Sequence, residues 1–91
     1  MTDPITDNQA RSRYELEAGG EVAFATYQRD GATVYIRHVE APPALRGTGA
    51  AGRLMEGIMQ AARRDGLKIV PICSYAAAWM RRHGEYADLR G

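Results

Sequence analysis

The hexapeptide Arg46-Gly47-Thr48-Gly49-Ala50-Ala51 runs directly into an amphipathic segment, and this junction constrains the chain more than any other stretch. The segment reads as a helix because Ala51, Leu54, Met55, Ile58, Met59 and Ala62 recur at helical spacing, with Gly66 as its stop. Small residues ahead of a helix let backbone N–H groups close on an anion. The first helical turn adds unpaired donors and the positive end of its dipole. The junction therefore predicts a phosphate-holding turn between a strand and a helix.

Two common phosphate loops are excluded by the residues themselves. A P-loop needs Gly-x-x-x-x-Gly-Lys-Ser/Thr, which is absent; Lys68 is the only lysine of the chain. A dinucleotide fingerprint needs, besides its glycines, a second βα unit with an acidic residue for a ribose, and none follows Gly47-x-Gly49-x-x-Gly52. What remains is Arg-x-x-Gly-x-Ala, carried by Arg46, Gly49 and Ala51.

The residues ahead of the loop predict an antiparallel meander. Strand-like runs cover 13–17, 22–29 and 33–39, separated by Gly19-Gly20 and Asp30-Gly31, which allow the positive φ of tight hairpins. Alternation puts Tyr14 and Leu16 on one face of the first run, and Val34, Ile36 and His38 on one face of the third. Pro42-Pro43 ends the third run, since neither residue offers a backbone donor. Residues 68–73 predict a buried strand, reached by a right-handed crossover and so parallel to 33–39. Ser74 is expected to cap a short helix over 75–83, ended by Gly84, with Trp79 and Met80 in the core. Pro71 fits either a sheet edge or a place where two strands part. Residues 1–9 are polar and read as a flexible N-terminal arm, leaving 10–91 as one domain.

Several spaced segments together resemble a known family. They are His38-Val39-Glu40-Ala41-Pro42-Pro43, the Arg46–Gly49 loop, Lys68-Ile69-Val70-Pro71-Ile72-Cys73-Ser74-Tyr75, and His83-Gly84-Glu85-Tyr86. In this order they resemble a compact subgroup of the GNAT superfamily of N-acetyltransferases, over roughly residues 8–89. The resemblance implies a small α/β fold: a three-strand antiparallel meander, a helix, a parallel strand and a C-terminal helix. It implies acetyl-CoA as acyl donor and an amine as acceptor. It also implies that the strands bordering the loop splay apart and admit the pantetheine arm. Two positions depart from the subgroup's pattern: Val39 replaces a threonine, and Gly84 replaces the proline of His-Pro-Glu-Tyr.

Residue roles follow from that resemblance. A free backbone N–H near Val39, Glu40 and Ala41 is expected to polarise the thioester. The amides of Gly47, Thr48, Gly49, Ala50, Ala51 and Gly52 are expected to hold the pyrophosphate, with Arg46, Arg53 and the Thr48 hydroxyl within reach of phosphate. Acetyl transfer also needs a base for the amine and a proton for the departing thiolate. His38 is the candidate base and Glu40 a second; Tyr75 is the candidate acid. Cys73, at the C-terminal end of a parallel strand and before a helix, either takes the acetyl group covalently or lines the channel as a small hydrophobe.

Composition narrows the partners. A net charge of +1 and a sequence pI near 7.9, without aromatic–basic interleaving, argue against nucleic acid. No stretch is long and apolar enough for a membrane span, and no signal core opens the chain, so a cytoplasmic protein is expected. Charge is nonetheless uneven. Residues 46–91 hold Lys68 and seven arginines against Glu56, Asp65, Glu85 and Asp88, which suits a polyanionic ligand. A single cysteine excludes an internal disulfide, and with only His38 and His83 to join it no metal site is expected. A monomer or homodimer is expected. The competing expectation is a CoA-binding or protein-interaction module without turnover.

Overall fold

A computed structural model describes residues 5–91. The order is β1 (Thr6–Asn8), β2 (Arg13–Ala18), β3 (Glu21–Asp30), β4 (Thr33–Glu40), α1 (Ala50–Asp65), β5 (Lys68–Pro71) and α2 (Ser74–Arg82). Short 3₁₀ turns occupy Gln9–Arg11, Pro43–Leu45 and Gly84–Leu89. The five strands form one sheet in sequential order, antiparallel except that β4 and β5 run parallel. The expected small α/β architecture is therefore present, with one strand more than the sequence indicated.

Local chemistry accounts for each element. The β2–β3 hairpin closes through Gly19 and Gly20, whose φ angles of 59° and 80° are the positive values a two-residue turn requires. α1 ends where Gly66, at φ 70°, returns its N–H to Ala62. α1 packs on β2 and β3, and α2 on β4 and β5. Strand alternation points Tyr14, Leu16, Ala25, Val34 and Ile36 into a single core with Leu54, Met55, Ile58 and Met59 of α1 and Ala76, Trp79 and Met80 of α2. Leu16, Ile36, Leu54 and Ile58 are fully buried, so truncating any of them to Ala costs about 2–5 kcal/mol.

Four expectations are corrected. The arm over 1–9 is in part ordered: Thr6–Asn8 pairs with β2, and the Asn8 side chain accepts from the Arg11 N–H to start a 3₁₀ turn. Met1–Pro4 lie outside the described residues. The strand over 68–73 stops at Pro71, and α2 begins at Ser74 with Cys73 as its N-cap, so Ser74 is the first helical residue and caps nothing. α2 ends at Arg82, and Gly84 opens a 3₁₀ turn that buries Tyr86 and Leu89. Finally, the alternation of β4 breaks. The register passes from Thr26↔His38 to Tyr27↔Ile36, leaving Arg37 as the extra residue of a β-bulge. His38 is thereby turned to the face of Arg13 and Thr26, and Val39 packs toward the core in its place.

Both outer strands of the sheet have a partner or are short. β1 has three residues. On the far side of β5, Arg90 forms a parallel bridge to Ile69 and the Gly91 N–H donates to the Ile69 carbonyl at 2.8 Å.

Gly57 explains how β1 reaches the core. It is buried in the middle of α1, and a Cβ there would lie 2.6 Å from Ile5 Cγ2, so only glycine lets the chain entering β1 lie against the helix. Gly57→Ala is expected to displace Ile5 and cost about 1–3 kcal/mol by overpacking. Amide exchange should speed up in Thr6–Asn8 relative to β3 and β4; unchanged protection of β1 would count against this account.

Candidate active site

The site is built on the parting of two parallel strands. β4 and β5 pair from Thr33↔Lys68 to Ile36↔Pro71. Pro71 has no N–H to continue the ladder. The next two donors, Ile72 N–H and Cys73 N–H, both turn to the Ile36 carbonyl, at 2.9 and 3.0 Å. From there β5 leaves for α2, while β4 continues through its bulge to Glu40. Val39–Ala41 and Pro71–Cys73 share no ladder, so the two strands part here, and Pro71 also lies on the edge strand of the sheet.

The loop that follows β4 closes one side of this gap. After the Pro43–Leu45 turn, the Leu45 carbonyl accepts from both the N–H and the hydroxyl of Thr48, and that hydroxyl in turn accepts from the Ala50 N–H at 3.3 Å. Thr48 thus braces the loop from within. Gly49 is the N-cap of α1 at φ 83°, a left-handed conformation that favours glycine, and the Arg53 N–H bonds its carbonyl at 3.0 Å. The Arg53 guanidinium reaches back to the Thr48 carbonyl at 3.1 Å, and Arg46 Nε donates to the Ala41 carbonyl at 3.2 Å. Among the described residues no acceptor meets the N–H of Gly47, Gly49, Ala51 or Gly52. Four open donors at a helix start leave partial positive charge facing the loop. The space beside the glycines is free: a Cβ on Gly47 would touch nothing within 4 Å, and one on Gly49 only Arg53 Nη1 at 3.8 Å.

Ala41, Arg46, Gly47, Gly49, Ala50, Ala51 and Gly52 line one cleft of about 280 Å³ with Leu45 and Tyr75. Val39, Glu40, Thr48, Arg53, His38 and Cys73 are not among its lining residues. Leu45 is the member that sequence reasoning missed. A leucine between Ala44 and Arg46, two residues after Pro43, was its only signal. A second hollow, of about 500 Å³ between β1, β2 and the C-terminal half of α1, contains none of the expected site residues.

The candidate catalytic groups fall on different sides. Tyr75, at the start of α2, is partly exposed, and burial of its ring pushes its phenol above the ordinary value, with Cys73 adding in the same direction. Cys73 is half-buried and packs against the core. His38 lies on the opposite sheet face, about half exposed, with Nε2 3.2 Å from Glu40 Oε1. Glu40 is cross-strand to Phe24 on that same face. The structure therefore joins His38 to Glu40 and Tyr75 to the loop, and joins neither pair to the other.

The family model of the GCN5-related N-acetyltransferases matches residues 13–89. The chain belongs to that family. Its acetyltransferase fold is also seen in the solution structure of a GCN5-like candidate N-acetyltransferase from Staphylococcus aureus, at a TM-score of 0.69 and 21% identity over 99% of this chain and 89% of the other. No curated protein matches. No helix among the described residues is long and apolar enough to cross a membrane.

The bracing role of Thr48 is directly testable. Thr48→Val keeps the shape and deletes both side-chain hydrogen bonds, so it should lower stability by about 1 kcal/mol, whereas Thr48→Ser should keep most of it. Equal melting temperatures for the valine variant and the wild type would refute the brace.

Proposed function

We propose that this GCN5-related N-acetyltransferase binds acetyl-CoA at the Arg46–Arg53 loop and transfers its acetyl group to an amine. The observation that carries the reading is the coincidence of two features: open backbone donors at the start of α1, and strands that part beside them. Polar phosphate fits the first and an extended, mostly apolar thiol arm the second. The space beside Gly47 and Gly49 is free for an anion, and side chains at these two positions would occupy it.

When bound, acetyl-CoA supplies a thioester acyl group; the rest of the work belongs to the chain. The N–H groups of Gly47, Gly49, Ala51 and Gly52 hold the pyrophosphate, and Arg46 adds charge at the rim. The stretch Val39–Ala41, which meets β3 on one side and no strand on the other, offers backbone N–H to the carbonyl oxygen. The amine nitrogen forms the new N–C bond as the C–S bond breaks. Its proton passes to the His38–Glu40 pair, which opens to the sheet face opposite α1. Tyr75, whose phenol is pushed further above its ordinary value by partial burial, holds the proton that the departing sulfur takes up. Cys73 is assigned to the wall of the gap, because its side chain packs on the core rather than lining the cleft.

Two variants test this reading. Coenzyme A should raise the melting temperature of the wild type. Gly49→Val, strained by about 1–2 kcal/mol at its positive φ, should stay folded and lose that rise. Unchanged coenzyme A affinity in the folded variant would remove the loop from the site. Cys73→Ser should acetylate amines within a few-fold of the wild-type rate; abolished turnover, together with an acetyl group on Cys73 of the wild type, would replace direct transfer by a covalent route. Coenzyme A binding with no acetylation of any amine in a broad panel would favour a binding module without turnover.

A further inference from the structure

The tail motif His83-Gly84-Glu85-Tyr86 has no part in the chemistry above, yet its aromatic residues connect the two helices that border the cleft. Tyr86 is buried, and its hydroxyl donates to Glu56 Oε1 on α1. Its ring stacks on Trp79 of α2 at 5.9 Å and 23°. Trp79 also stacks with His83, whose ring lies 3.7 Å away at 11°. His83 Nδ1 is 2.7 Å from the Trp79 carbonyl, which can only accept, so that nitrogen carries the proton. The indole faces Gly52: a Cβ there would lie 3.7 Å from Trp79 Nε1.

Helical spacing places these contacts one turn below the cleft on both of its sides. Gly52 and Glu56 are four residues apart on α1, and Tyr75 and Trp79 four apart on α2. Gly52 and Tyr75 line the cleft, while Glu56 and Trp79 are the positions that Tyr86 links. Gln60 supports the acceptor by donating to Glu56 Oε1 at 3.3 Å. Farther along α1, Arg63 binds Asp88 and the Glu85 carbonyl, holding the same tail against the helix.

We infer that Glu56, Tyr86, Trp79 and His83 form a clamp that fixes the spacing between the first turns of α1 and α2, and so the width of the cleft. These are positioning residues, and their effect on coenzyme A rests on the cofactor reading given above. Tyr86→Phe and Glu56→Ala should each weaken coenzyme A binding roughly fivefold, a fraction of what one hydrogen bond to a charged group is worth. The double variant should be no weaker than the worse single one, because both remove the same contact. Glu56→Gln, which still offers an oxygen to the Tyr86 hydroxyl, should bind close to wild type. Leu16→Ala should lower the melting temperature without changing the affinity of the folded protein.

A second readout needs no ligand. The nuclear Overhauser contact between the Trp79 indole N–H and the Gly52 α-protons should weaken in Tyr86→Phe and Glu56→Ala and persist in Glu56→Gln. A contact that persists in Tyr86→Phe overturns the clamp. A contact that is lost with coenzyme A affinity unchanged overturns its control of the cleft. Wild-type protein that binds no coenzyme A refutes the cofactor reading, and the Overhauser contact then decides the clamp by itself.

Discussion

The Ile36 carbonyl, which accepts from both Ile72 and Cys73, is the contact on which the rest of the site depends. Two parallel strands normally continue side by side until one ends. Here Pro71 withholds a donor at the last paired position, and the next two N–H groups converge on one oxygen, so β5 turns away without leaving buried donors unpaired. The turn brings α2 to the side of the gap opposite the glycine loop. A cleft between two helix starts then follows from one proline and one carbonyl.

The bulge at Arg37 has an equally local cause and a different effect. One extra residue reverses the side-chain alternation of β4 beyond Ile36. Val39 joins the core side, and His38 and Glu40 share the opposite face with Phe24 and Arg13, whose guanidinium lies 4.6 Å over the Phe24 ring. His38 and Glu40 thus lie on one face of the sheet, and the glycine loop and Tyr75 lie away from it.

Much of this was legible in the chain because the deciding residues act locally. Gly19-Gly20, Gly49 and Gly66 adopt the positive φ that other residues rarely take, Pro71 lacks a donor, and β2, β3, β4 and α1 follow from them together with simple periodicity. The family resemblance rested on such segments, and the family match over 13–89 agrees with it. What the sequence did not disclose depends on contacts between distant residues. β1 is three residues of polar character whose order depends on β2 and on the space above Gly57. The bulge at Arg37 has no mark in the alternation of 33–39. The exchange of cap between Ser74 and Cys73 reflects where Pro71 releases the strand, not the side chain best suited to capping.

The bridge from Arg90 to Ile69 bears on how copies of the molecule meet. An open sheet in sequential order has two bare edges, and each offers unpaired amides to any passing strand. β5 is the more dangerous, being flanked by Ile72, which is 60% exposed. The Arg90 bridge and the Gly91 N–H occupy the Ile69 position on that edge, and at the other edge β1 offers only three residues with polar Thr6 and Asp7 exposed. The cover of this apolar edge thereby rests on a two-residue contact remote from the cleft.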